Sequence, residues 1–141
     1  GLSVDKIVSH EDWIKDIEET QNTKVDFPII ADSKKEIAGL YDMIHDETDD
    51  KLTVRSVYVI DPNKKIRLTL TYPPSAGRSF NEILRVIDSL QLTSYNQVAT
   101  PADWNHGDEV VILPTLSNEE AKTKNPQARN QKNPYIRITK I

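Results

Sequence analysis

Arg55 stands at the head of a stretch that is otherwise almost wholly apolar as far as Ile60. A guanidinium in that setting needs an anionic or polar partner, because an unpaired charge is costly to desolvate. It reads equally well as a strand-end arginine whose head group reaches back to water. Other side chains suited to chemistry are sparse. The 141 residues include no cysteine, which excludes a disulfide framework, a thiolate metal site and a thiol nucleophile within the chain. His10, His45 and His106 lie far apart without ligand spacing, and each is expected to be exposed or capping. The run His45-Asp46-Glu47-Thr48-Asp49-Asp50-Lys51 is rich in carboxylates but lacks the Gly and Glu positions of a calcium loop, so a solvated loop is expected.

The elements that must position Arg55 follow from patterning. Leu2 to Val4 suggests a short strand, and Ser9 with Asp12 suggests a capped helix carrying Trp13, Ile14 and Ile17. Phe27-Pro28-Ile29-Ile30-Ala31 suggests a second strand. Asp32 can cap a second helix bearing Ile37, Leu40, Tyr41 and Ile44. Residues 53–60 and 66–72 read as hairpin arms around Asp61-Pro62-Asn63-Lys64. Ser79 and Glu82 form a predicted capping box for a helix with Phe80, Ile83, Leu84, Ile87 and Leu90 on one face. Beyond Thr93 the chain turns to short pieces: a strand over 110–113, a brief helix after Ser117, a loop or arm over 125–134 and a strand over 135–139. Trp13 and Trp104 are expected in the core or at an interface.

Composition sets the outer bounds. With 37% hydrophobic and 28% charged residues, one domain, or one domain with a tail, is expected. A net charge of -4 argues against a nucleic-acid partner. The longest apolar runs are far too short to span a membrane, no signal-peptide pattern opens the chain, and a soluble protein is expected. The chain opens directly on a strand-like segment, so a missing N-terminal portion is also expected.

Strand, helix, strand, helix, hairpin, helix is the order of a thioredoxin-like α/β sheet that lacks its first strands and helix. The residues resemble the 1-Cys peroxiredoxins. The match is carried by Leu2-Ser3-Val4-Asp5 with Trp13, by Phe27-Pro28-Ile29-Ile30-Ala31-Asp32, and by Arg55-Ser56-Val57-Tyr58-Val59-Ile60-Asp61-Pro62. It continues through Tyr72-Pro73, Gly77-Arg78-Ser79-Phe80-Asn81-Glu82-Ile83-Leu84-Arg85, and Ala99-Thr100-Pro101-Ala102-Asp103-Trp104. The last piece resembles the 1-Cys branch in particular.

The resemblance implies an α/β chain with an incomplete thioredoxin-like fold over residues 1–92 and a C-terminal dimerisation extension over 93–141. It implies a parent enzyme that reduces hydrogen peroxide and organic hydroperoxides through one cysteine in a Pro-x-x-x-Thr-x-x-Cys motif. That motif is absent here, so this chain alone is expected to be inactive. Arg55 matches the family arginine that lowers the thiol pKa and stabilises charge on the departing oxygen. Arg78 matches a second arginine of the site, although a helix-start arginine is also a common surface residue. Arg85 fits a surface or interface salt bridge. No metal or organic cofactor is implied. The implied partners are a peroxide, an external reductant such as glutathione, thioredoxin or ascorbate, a second copy in a homodimer, and the missing N-terminal half. Family members occur in the cytoplasm and in mitochondria. Some animal members are credited with phospholipase activity. At its acidic position this chain has Asn63, with Asp61 two residues earlier, and the Ser and His half is lacking. A noncatalytic interaction module is the alternative.

Overall fold

The computed structural model describes residues 1–44, 53–130 and 136–141. The chain divides into two compact units, Gly1–Arg78 and Ser79–Ile141.

In the first unit, β1 (Leu2–Ser3) pairs in parallel with β2 (Ile30–Ala31), and α1 (Ile7–Gln21) lies in the connection between them. Parallel strands require such a crossover. The helix begins two residues before the predicted Ser9 cap: Lys6 is the N-cap, without a side-chain bond, and the His10 amide already donates to the Lys6 carbonyl. A turn closed by the Ser3 hydroxyl and the Asp5 amide ends β1 early enough to permit this. Strand β2 is shorter than the apolar run, since Pro28 has no N–H to offer a ladder.

The N-cap of α2 (Glu36–Leu40) is Lys35, in a left-handed conformation (φ 59°), rather than the predicted Asp32. Asp32 instead reaches the first turn from three residues earlier, its buried carboxylate accepting from the amides of Glu36 and Ala38 at 3.0 and 2.7 Å. The helix stops before Tyr41 and Ile44, where the chain turns left-handed at Asp42 (φ 52°). Strands β3 (Arg55–Ile60) and β4 (Ile66–Tyr72) form the predicted antiparallel hairpin, with Arg55 opposite Tyr72. The core of this unit gathers Ala38, Met43 and Val54, with Leu2, Val4, Tyr41 and Tyr58 against them. The Tyr58 hydroxyl donates to the Tyr41 carbonyl, and the two rings meet edge to face at 5.0 Å. Residues 45–52, which hold His45 and the acidic loop, lie outside the described residues.

In the second unit, α3 (Phe80–Tyr95) precedes β5 (Val98–Ala99), β6 (Val110–Ile112), α4 (Asn118–Lys124), β7 (Arg129–Asn130) and β8 (Arg137–Thr139). The strands form one antiparallel sheet in the order β5-β6-β8-β7. Strand β7 falls where a loop or arm was expected. It is held as an edge by ladder bonds to β8, and Arg129 pairs with Glu109. Val98, Trp104, Val110, Ile112, Leu116 and Ala121 make the core. Arg137 is buried, and its guanidinium donates to the carbonyls of Leu113, Leu116 and Ser117 and to Asn118 Oδ1 at 2.8–3.2 Å. The predicted capping box of α3 is half made. The Ser79 hydroxyl accepts from the Glu82 amide, but the Glu82 carboxylate is drawn to Arg85 instead. Arg85 also donates to the Trp104 carbonyl at 3.0 Å, which ties the 101–104 turn to the helix.

Candidate functional site

Alternating β-branched residues place Arg55 at one end of the β3–β4 hairpin, and the same end leads through Pro73-Pro74-Ser75-Ala76-Gly77 to Arg78. The Ala76 amide donates to the Pro73 carbonyl at 3.0 Å and closes a turn. Arg55 is exposed, and its Nη1 donates to the Ala76 carbonyl at 3.3 Å. The structure therefore brings Arg55 to a residue only two positions before Arg78, which is also exposed. Among the described residues neither arginine makes an ion pair.

An exposed arginine without a carboxylate partner among the described residues, as Arg55 and Arg78 each are, can stabilise an anion such as a thiolate or the oxygen that leaves a peroxide. The nucleophile is not here, because the chain has no cysteine. Arg85, by contrast, is committed to Glu82, with Nε 2.6 Å from the carboxylate. This pairing holds the Glu82 carboxyl below its ordinary range. That is the salt-bridge role expected of it.

Asp61, near the position of the lipase acid, is also engaged structurally. Its Oδ1 accepts from the Lys65 amide at 3.0 Å and Oδ2 lies 3.4 Å from Arg67 Nη1. The Lys65 amide first, and Arg67 with it, lower its pKa. His106 is exposed as expected, but His10 is a correction: it is buried, and its Nε2 has no hydrogen-bond partner among the described residues. It shares the inner stripe of α1 with Ile14 and Ile17, a spacing that marks it as a core position. Trp104 is buried in the core, whereas Trp13 is half exposed. The Ala76 acceptor has no counterpart in the sequence reading, since every residue type carries a backbone carbonyl.

Residues 1–69 match the AhpC/TSA family, and residues 89–126 match the C-terminal domain of 1-Cys peroxiredoxin. The 1-Cys peroxiredoxin of Dictyostelium discoideum is 50% identical over 139 residues, which are 99% of this chain and 58% of that protein. The 1-Cys peroxiredoxin of Medicago truncatula is 42% identical over 150 residues, with 100% of this chain and 69% of that protein covered. A solved structure of the yeast mitochondrial 1-Cys peroxiredoxin, concerned with thiol resolution via glutathione/thioredoxin systems, superposes with a TM-score of 0.91 at 49% identity. It covers 100% of this chain and 69% of that one. The α/β arrangement is thus part of a thioredoxin-like fold with the extension expected after it. Since both family regions match in order and the likeness runs the whole length of the chain, it belongs to the 1-Cys peroxiredoxin family.

Proposed function

We propose that this chain is part of a thiol-dependent peroxidase whose single nucleophilic cysteine is supplied from outside these 141 residues, and that Arg55 and Arg78 form the cationic half of its site. The observation that carries this reading is Arg55, held by a neutral carbonyl and left without a counter-ion among the described residues. In the reaction a cysteine thiolate attacks one peroxide oxygen and the O–O bond breaks. Cysteine sulfenic acid forms, and the alkoxide or hydroxide that leaves takes a proton to become alcohol or water. Two equivalents of an external thiol then return the sulfenic acid to thiol, releasing water and a disulfide. Glutathione or thioredoxin is the reductant proposed, supported by the systems named for the yeast structure.

The substrates are hydrogen peroxide and organic hydroperoxides, and no metal or organic cofactor enters the scheme. Residues 1–92 supply the remainder of the catalytic domain and residues 93–141 a homodimerisation arm. Exposed Tyr95, and the C-terminal-domain match over 89–126, support an interaction role in this region. Among the described residues no helix is long and apolar enough to cross a membrane. A cytoplasmic or mitochondrial location is proposed, the latter supported by the yeast relative.

The test is to treat the full-length protein with an alkyl hydroperoxide and trap sulfenic acid with dimedone, following intact mass. One adduct per chain is expected, and Arg55→Ala should slow its formation about a hundredfold or more. No adduct, or a wild-type rate in Arg55→Ala, would contradict the assignment.

A further inference from the structure

Arg55 must keep its guanidinium in place and also keep its charge available. A carboxylate partner would meet the first need and defeat the second, because the paired anion would cancel most of the field felt by a nearby thiol. A backbone carbonyl fixes the side chain through a dipole and leaves the net charge intact. The Ala76 carbonyl, 3.3 Å from Nη1, stands in that relation to Arg55.

The acceptor sits on a stiff support. Pro73 and Pro74 each fix a φ angle, and the Ala76 amide closes the turn onto the Pro73 carbonyl at 3.0 Å. The turn grows directly from β4, whose last residue, Tyr72, is the ladder partner of Arg55. Strand register therefore brings the arginine and the turn to the same end of the hairpin. Gly77 beside it has nothing within 4 Å of where a Cβ would stand, so no crowding from that side forces the carbonyl into position.

We infer that the Ala76 carbonyl is a neutral anchor for Arg55, and that the turn over residues 73–76 is a positioning element of the peroxide-reducing site. The inference rests on the role given to Arg55 above. In the full-length protein, Ala76→Pro removes the amide that closes the turn and pushes Ser75 away from helical backbone angles. Alkylation of the cysteine by iodoacetamide, followed against pH, should then move upward by about one unit. Peroxide turnover should fall about tenfold or more.

If Ala76→Pro does not fold, an ester in place of the Ala76–Gly77 amide weakens the same carbonyl as an acceptor. The Gly77 amide makes no backbone hydrogen bond among the described residues that this would disturb. An upward shift of the alkylation profile in the ester protein supports the anchor. A profile unmoved by these changes but moved by Arg55→Ala overturns the anchor and leaves the role of Arg55 standing. A profile unmoved by Arg55→Ala overturns both. Turnover lost with the profile unmoved would mark a structural defect only and would likewise overturn the anchor.

Discussion

Two arginines show how environment assigns a role to one residue type. Arg137 is buried and spends its donors on four acceptors in the 113–118 segment, so it organises the second unit. Arg137→Met should destabilise the full-length protein by about 3 kcal/mol in chemical denaturation, because several buried acceptors lose their partner. Arg137→Lys should recover little, since an ammonium cannot reach acceptors spread around a planar fork. Arg55 is exposed and, among the described residues, donates to one carbonyl and pairs with no carboxylate. Asp61 gives a pH-dependent case. Its folded pKa lies below the unfolded value, so its contribution is complete above the ordinary carboxylate range, near about 4, and is lost as pH falls through the folded value. Asp61→Asn should therefore lower the denaturation midpoint at neutral pH, with the gap to wild type closing in acid. Arg55 and Arg78 stand out in the sequence because a charge in an apolar or turn-rich run draws attention, whereas nothing local marks Arg137, whose acceptors lie about twenty residues upstream. His10 was misread because its type suggested the surface while its spacing with Ile14 and Ile17 placed it inside.

At the scale of the element, α3 and α4 carry the same Ser-x-x-Glu pattern with different outcomes. In α4 the Ser117 hydroxyl accepts from the Glu120 amide and the Glu120 carboxylate from the Ser117 amide, closing the box and lowering the Glu120 pKa. In α3, Arg85 lies one turn beyond Glu82 and takes its carboxylate away from the box. The corresponding position after Glu120 is Thr123, which cannot compete. Ser117→Ala should cost about 1 kcal/mol and raise amide exchange at Glu120 and Ala121. Local pattern thus revealed the helices and the hairpin, since their periodicity and turn residues lie within a few positions. It overran their ends, and it missed β7 because the polar run around Arg129 and Asn130 carries no β-branched or alternating signal and becomes a strand only by pairing with β8.

For the whole molecule, the described residues leave large apolar side chains in water, with Trp13 51%, Phe27 53%, Leu84 60% and Phe80 70% exposed. Surfaces of that kind seek cover. The 141-residue chain on its own should elute in size-exclusion chromatography with light scattering as an associated species. A monodisperse monomer at micromolar concentration would contradict this. The chain is proposed to hold the cationic support of a peroxidase whose nucleophile lies outside it. Peroxide consumption, with a thiol reductant present, decides this when the full-length protein, the same protein alkylated at its thiol, and the 141-residue chain are compared. Turnover by the untreated full-length protein alone is the result predicted. Turnover by the 141-residue chain, or by the alkylated protein, would contradict it.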